Sequence, residues 1–162
     1  MNDCIFCNEL ATDALNIFHR SKSGLFASRW DQFPLVPGHV EVIPVRHIQL
    51  MKDLSALEQS ELLLFTQEVI PIIESTDLQT LYMSMKEQII NDTSTRLIKK
   101  VLASTGLTVK PDAYNFGIND GPMAGQSVPH MHLHIMPRRE GDVANPRGGV
   151  RNMFTGDPYS TL

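Results

Sequence analysis

Long apolar runs are missing from this chain, and none approaches the ~18 residues that a membrane-spanning helix requires. The sequence starts Met1-Asn2-Asp3-Cys4, with an acid where a secretory signal carries basic residues and no apolar stretch behind it. No targeting segment is read there, and a cytoplasmic location is the expectation. Basic residues are in deficit: 14 Lys and Arg stand against 18 Asp and Glu, for a formal net charge of −4. That balance argues against a nucleic-acid backbone as partner. Cysteine is scarce as well. Cys4 and Cys7, in Cys4-Ile5-Phe6-Cys7, would close too short a loop for a structural disulfide in a cytosolic chain. A lone Cys-x-x-Cys leaves three readings open: a redox pair, half of a metal site, or two small apolar residues. Redox pairs normally sit in a βαβ context, which is not read here, whereas histidines are available to complete a metal site. Repeats, low-complexity tracts and linkers are lacking too, so residues 1–162 are read as one domain.

Charge is present locally where it is lacking globally. Arg138, Arg139, Arg147 and Arg151 are set against only Glu140 and Asp142, which suits either a small anionic ligand or a solvated surface. The segment up to Leu25 gives no clear pattern. Gly24 to Ser28 reads as a short strand, and Asp31 to Pro34 and Pro37-Gly38 as turns before a β-rich run from His39 to Pro44. These two strands imply an antiparallel hairpin. Ser55-Ala56-Leu57-Glu58 has the form of a capping box, followed by Leu62, Phe65, Val69 and Ile72 on one helix face, with Pro71 expected to kink or end the helix. A second helix is read from Asp77 with Leu78, Leu81, Met85 and Ile89 on one face, and a third from Arg96 to Ala103. The β pattern returns at Ala113–Ile118, turns at Asn119 to Pro122, and resumes from Val128 to Met136, where Pro137 stops it. The tail, residues 141–162, reads as irregular. The sum is an α+β domain, an antiparallel sheet with helices packed on one face.

Three histidines stand at 130, 132 and 134, separated by Met131 and Leu133 and followed by Ile135. On a strand, alternate side chains share a face, so the imidazoles point one way and the apolar residues the other. One strand histidine is ordinarily structural. Three on one polar face are costly to retain without a role. A zinc hydrolase using all three as ligands is disfavoured, because the outer pair lies about 13 Å apart along a strand. Phosphoryl chemistry fits better: a middle imidazole attacks phosphorus while its neighbours position it and donate to phosphate oxygens.

The run from Asp120 to Arg139, with His130-Met131-His132-Leu133-His134-Ile135-Met136 at its centre, resembles the signature of the histidine-triad superfamily. Ala124 to Ser127, Asn119, Pro37-Gly38-His39 and Ile43-Pro44 match as well, and Asn145 to Arg151 is similar to the tail of bacterial members akin to diadenosine-polyphosphate hydrolases. The likeness covers most of residues 4–55 and 110–151. It implies a five-stranded antiparallel sheet, a homodimer whose sheets run on across the interface, and purine nucleotides or dinucleotide polyphosphates as ligands. The activity it implies is cleavage of a phosphoanhydride at the α-phosphate through a nucleotidyl-histidine.

Residue by residue, the resemblance makes His132 the nucleophile, has His134 hydrogen-bond the phosphate, and places His130 with them in the catalytic set. Asn119, Gln126 and Ser127 would contact phosphates and leaving group. Asp31, eight residues before His39, would hold the ribose hydroxyls, with His39 beside it. Cys4, Cys7, His47 and His130 would form a closed Cys2His2 set for one structural zinc per chain; no organic cofactor is expected. Two departures matter. The interval from His39 to His130 is longer than the family pattern, the excess falling in an extra helical stretch around 77–110. The transferase branch replaces the last triad histidine with glutamine, whereas His134 is intact, which favours hydrolysis. The alternatives are a nucleoside phosphoramidase with the same machinery, or a nucleotide-binding regulator with little turnover.

Overall fold

The structure, a computed structural model, describes residues 4–87 and 91–147. Five strands, β1 (Ile17–Arg20), β2 (Phe26–Trp30), β3 (Val40–Pro44), β4 (Ala113–Ile118) and β5 (Leu133–Arg138), form one sheet in the order β1-β2-β3-β5-β4. Every neighbouring pair is antiparallel. Among the described residues, four α-helices complete the fold: α1 (Ile5–Thr12), α2 (Ala56–Ser75), α3 (Leu78–Glu87) and α4 (Asp92–Leu102).

Strand alternation divides the sheet into two chemically different faces. On one, Phe26, Trp30, Val40, Val42, Leu133 and Ile135 are buried in one cluster with Leu62, Phe65 and Val69 of α2, Tyr82 of α3 and Ile98 of α4. This is the main core. On the other face, Ala27 and Ile43 pack with Cys4 and with Phe6 of α1 in a small second cluster. The rest of that face is polar and yet buried: Arg29, Glu41 and His39 are 3%, 5% and 2% exposed. Register aligns a row across it, Arg29 opposite Glu41, Glu41 opposite His134, and His134 opposite Gly117.

The long helices follow their local chemistry. Ser55 caps α2 by accepting from Glu58 N–H at 3.3 Å, while the Glu58 carboxylate accepts from Ser55 N–H at 2.7 Å. The buried face of α2 is Leu62, Phe65, Val69 and Ile73; Ile73 takes the place expected of Ile72, one residue further round the turn. Pro71 does not end the helix. Its missing N–H orphans the carbonyl of Gln67, which lies on the exposed side where water can satisfy it. Asn91 caps α4 by accepting from Ser94 N–H at 3.0 Å, so that helix begins four residues before Arg96. Of the expected α3 face, Leu78 is buried and Leu81 and Met85 half-buried, whereas Ile89 lies outside the described residues.

Helices α3 and α4 also hold the β2–β3 loop. The Tyr82 hydroxyl accepts from Gly38 N–H at 2.9 Å, and Ser94 Oγ donates to Gln32 C=O at 2.6 Å. Gly38 itself has φ +84°, and a Cβ there would lie 3.1 Å from Ile73 and 3.2 Å from Pro137, so only glycine fits. Two segments unreadable from pattern, α1 and β1, occupy the region before Leu25. Strand β5 starts at Leu133, later than Val128, and runs through Pro137 to Arg138.

Candidate active site and metal cluster

The shortened β5 places the three histidines in two environments. His130 lies at a bend and His132 in the segment leading into the strand, with His134 in the ladder itself. Alternation still holds, because Met131, Leu133 and Ile135 are all in the main core.

His130 belongs to the N-terminal cluster. Its Nδ1 lies 3.4 Å from Cys4 Sγ and 3.6 Å from Cys7 Sγ, and Cys7 Sγ lies 3.2 Å from His47 Nδ1. All four donor atoms fall within 4.8 Å of one another. A tetrahedron with Zn–S near 2.3 Å and Zn–N near 2.05 Å has S···N edges of about 3.5 Å, so the set has the size zinc requires. The opposite nitrogen of His130, Nε2, donates to Pro44 C=O at 2.9 Å, which leaves Nδ1 bare for a cation. Burial pushes the His130 imidazole down to about 4, consistent with a neutral ligand.

His132 turns the other way. Its Nδ1 donates to His130 C=O at 2.7 Å, which fixes the tautomer and leaves Nε2 free as a base and nucleophile. Phe6 packs edge-on against it with ring centroids 5.4 Å apart, and burial lowers its pKa. The ring of His134 stands 4.8 Å from that of His132 and is the more exposed of the two. Burial first, then His39 and His132, bring it down to about 4. His134 Nδ1 is 3.1 Å from His39 Nε2, and His39 Nδ1 is 3.1 Å from Asp31 Oδ2. With a carboxylate at its Nδ1, His39 carries its proton there and accepts at Nε2 from His134.

Asp31 is only 7% exposed, and its Oδ1 also accepts from Phe33 N–H at 2.8 Å. Asn119, Gln126 and Ser127 lie on the β4–β5 loop, and no described hydrogen bond joins them to a triad imidazole. Gln126 Nε2 donates to Gln49 C=O at 2.8 Å, while its Oε1 is buried without a partner. Asp120 pins the same loop by accepting from Met51 N–H at 2.7 Å. His19 sits apart, stacked on Phe65 and facing Glu68. Gly148 to Arg151 of the tail lie outside the described residues. Two cavities, of about 190 and 320 Å³, open beside α3, and no triad histidine lines either.

Sequence reasoning missed a buried ion network under the triad. Arg29 donates through Nε to Glu9 Oε2 at 2.7 Å and through Nη1 to Glu41 Oε2, while its guanidinium sits 4.6 Å over the Phe6 ring. The signal was available: a charged residue inside each of two short strands, in register with the face that carries His134.

The HIT domain family model matches residues 21–141, and the chain belongs to the histidine-triad family. Among its relatives is the asymmetrical bis(5′-nucleosyl)-tetraphosphatase of Schizosaccharomyces pombe, 33% identical over 126 residues, 78% of this chain and 50% of that protein. An AP-4-A phosphorylase of Mycobacterium tuberculosis is 30% identical over 111 residues, 68% of this chain and 40% of that protein. The chain therefore spans about half or less of the length of these curated relatives. A Zn-bound histidine triad family protein from Mycobacterium smegmatis superposes with a TM-score of 0.58 at 25% identity, covering 96% of this chain and 84% of that one.

Proposed function

We propose that this chain hydrolyses dinucleoside polyphosphates, cleaving a phosphoanhydride at an α-phosphate through a nucleotidyl-histidine on His132. One observation carries the reading: His132 Nδ1 is committed to the His130 carbonyl, so a neutral imidazole presents Nε2 beside the half-exposed His134. Such an imidazole needs no separate base to attack phosphorus. Attack forms a P–N bond and breaks the P–O bond to the leaving nucleotide; water then breaks the P–N bond and restores His132. His134 would bind the phosphate, with Asn119, Gln126 and Ser127 near the leaving group and His130 supplying the carbonyl that orients the nucleophile. Asp31 and His39 would line the ribose side, where an incoming diol must share Asp31 with His39 and Phe33 N–H.

Cys4, Cys7, His47 and His130 would hold one structural zinc, supported by edge lengths near those of a zinc tetrahedron. Bound there, the ion supplies cross-linking of α1 to the approach of β5 and no open position for substrate. A homodimer joined through strand β4 is part of the same reading, supported by the edge position of β4 and the exposed Phe116 on it. No described helix is long and apolar enough to cross a membrane, and Cys4 and Cys7 are free thiols; a cytoplasmic location is proposed with these.

The test is a product profile with diadenosine tetraphosphate and adenosine 5′-phosphoramidate, with and without chelator. Label from the α-phosphorus is expected on the protein after an acid-free quench, and turnover at a chiral α-phosphorus should retain configuration, since two displacements invert twice. His132→Ala should lower kcat by about 10⁴-fold or more with AMP affinity nearly unchanged. Inversion, or substantial activity in His132→Ala, returns the triad to a binding role. Cleavage of the phosphoramidate alone makes the chain a phosphoramidase.

A further inference from the structure

Two routes run from the cysteine–histidine cluster to the nucleophile. The first is His130 itself. Its Nδ1 faces Cys4 and Cys7, its Nε2 donates to Pro44 C=O, and its own carbonyl accepts from His132 Nδ1 at 2.7 Å. One residue therefore carries both a nitrogen for the metal and the acceptor that keeps the His132 proton off Nε2. The second route is Phe6, which stands between Cys4 and Cys7 in the chain and is 2% exposed. Its ring is edge-on to both imidazoles, with centroids 5.7 Å from His130 and 5.4 Å from His132, and the Arg29 guanidinium sits over it at 4.6 Å.

The first turn of α1 takes its place from that cluster. The helix has eight residues, no side-chain hydrogen bond at its N-cap Cys4, and only Phe6 and Glu9 buried. A helix this short is marginal on its own, so its position is set by its tethers. Further along, Glu9 is held by Arg29 and Leu10 C=O by Arg20. The first turn meets the sheet through Cys4, Phe6 and Cys7. By themselves the thiols reach His130 and His47 through sulfur–nitrogen contacts of 3.4, 3.6 and 3.2 Å, and a thiol is a weak hydrogen-bonding partner. Ligation by all four groups replaces those contacts with bonds of about 2.0–2.3 Å to one centre, which fixes the backbone from Cys4 to Cys7 and Phe6 with it.

We propose that metal occupancy of Cys4, Cys7, His47 and His130 sets the tautomer and ring plane of His132, with Phe6 as the positioning residue that transmits it. This rests on the hydrolase reading, because a nucleophile needs its attacking nitrogen bare. Neutral imidazole has two tautomers, and only the one protonated at Nδ1 attacks from Nε2. The bond to His130 C=O selects that tautomer, and Phe6 limits rotation of the ring so that the bond stays aligned. With the four ligands engaged, the His130 carbonyl and Phe6 are both held, and His132 has one arrangement. With them released, both shift, and part of the proton moves to Nε2. A displacement of about 1 Å at a reacting group costs about 10²-fold in rate. The groups proposed to hold phosphate and ribose, His134, Asp31 and His39, are not members of the cluster. Occupancy should therefore act on kcat and leave KM alone, which a staple that only stabilised the fold would not do.

Long-range proton–nitrogen NMR of the imidazole rings reads the tautomer on the full chain, without substrate. Zinc-loaded protein should show His132 protonated at Nδ1 alone. After chelation, Nε2 in the folded chain should carry part of the proton. Phe6→Leu should give the same mixture while keeping about one zinc per chain, and it decides the matter if the chelated chain unfolds. With diadenosine tetraphosphate, chelation and Phe6→Leu should each lower kcat by about 10- to 100-fold with KM changed less than about twofold. Added zinc should restore the chelated protein and leave Phe6→Leu impaired. A His132 tautomer indifferent to both chelation and Phe6→Leu overturns the proposal, and so does native protein that binds no zinc. A tautomer that follows zinc in a chain that cleaves no dinucleotide sinks the hydrolase reading and keeps the coupling.

Discussion

The two faces of the sheet are buried to similar depth and obey opposite rules. On the main-core face, Phe26, Val40, Val42 and Ile135 are fully buried and contribute by excluding water. On the other, Arg29, His39 and Glu41 are nearly as inaccessible but contribute only through their partners. Removing a methylene from the first face leaves a void; removing a charge from the second leaves another charge without compensation. Burial alone thus says little about what a residue does here. The partner list says more.

The sharpest way to break this comparison is to damage each face once. Phe65→Ala should cost about 3–5 kcal/mol by cavity formation, read by denaturant unfolding. Arg29→Met should cost about as much, because Glu9 and Glu41 lose the guanidinium between them. The faces separate when the partners are changed together: Glu9→Leu, Arg29→Met and Glu41→Leu combined should return stability to near the wild-type value. A triple variant as unstable as Arg29→Met alone would mean that the network stabilises the fold outright.

The metal cluster gives a smaller effect. Chelation, or Cys4→Ser with Cys7→Ser, should remove about one zinc per chain by elemental analysis and cost about 3 kcal/mol for a site saturated roughly 100-fold above its Kd. A chain of this size would then melt roughly 6–12 °C lower. Native protein that contains no metal and does not respond to chelator removes zinc from the reading. The smallest effect belongs to the main-core side. Ser55→Ala should cost about 1 kcal/mol through the lost cap. The Arg46 guanidinium, with Ser55, holds Glu58 down at about 2, so its contribution is present above the ordinary carboxylate range and is lost as pH falls towards 2. Acid titration of stability in wild type and Glu58→Gln checks that sign, since only wild type should lose this increment.

Legibility in the sequence followed the same division. Strand β4 was readable to the residue because its turn signals are strong on both sides. The triad was readable because period-2 alternation survives even where ladder hydrogen bonds do not, as at His130 and His132. The capping box of α2 was readable because Ser55 and Glu58 satisfy each other locally. Helix α1 was not, since its eight residues bury only Phe6 and Glu9 and carry little periodicity. Pro71 does not end α2 because the cost of its missing N–H depends on which side of the helix faces water, and that is a tertiary fact. The start of α4 was placed late because Asn91 reads equally as a break and as a cap. The Arg29–Glu41 pair escaped for the same reason, since two charges in separate strands mean nothing until register sets them side by side.

The Tyr82–Gly38 and Ser94–Gln32 hydrogen bonds bear on motion. They run from α3 and α4 to the loop that carries Asp31 at one end and His39 at the other. A loop of this length between two strands could otherwise open on its own timescale, independent of the core. Anchored beside both of its ends, at Gln32 and Gly38, to two helices, it moves Asp31 or His39 only when those bonds break or the helices shift with it. The ribose side of the proposed pocket is therefore as rigid as the α3–α4 pair, and its fluctuations are those of the fold and not of a surface turn.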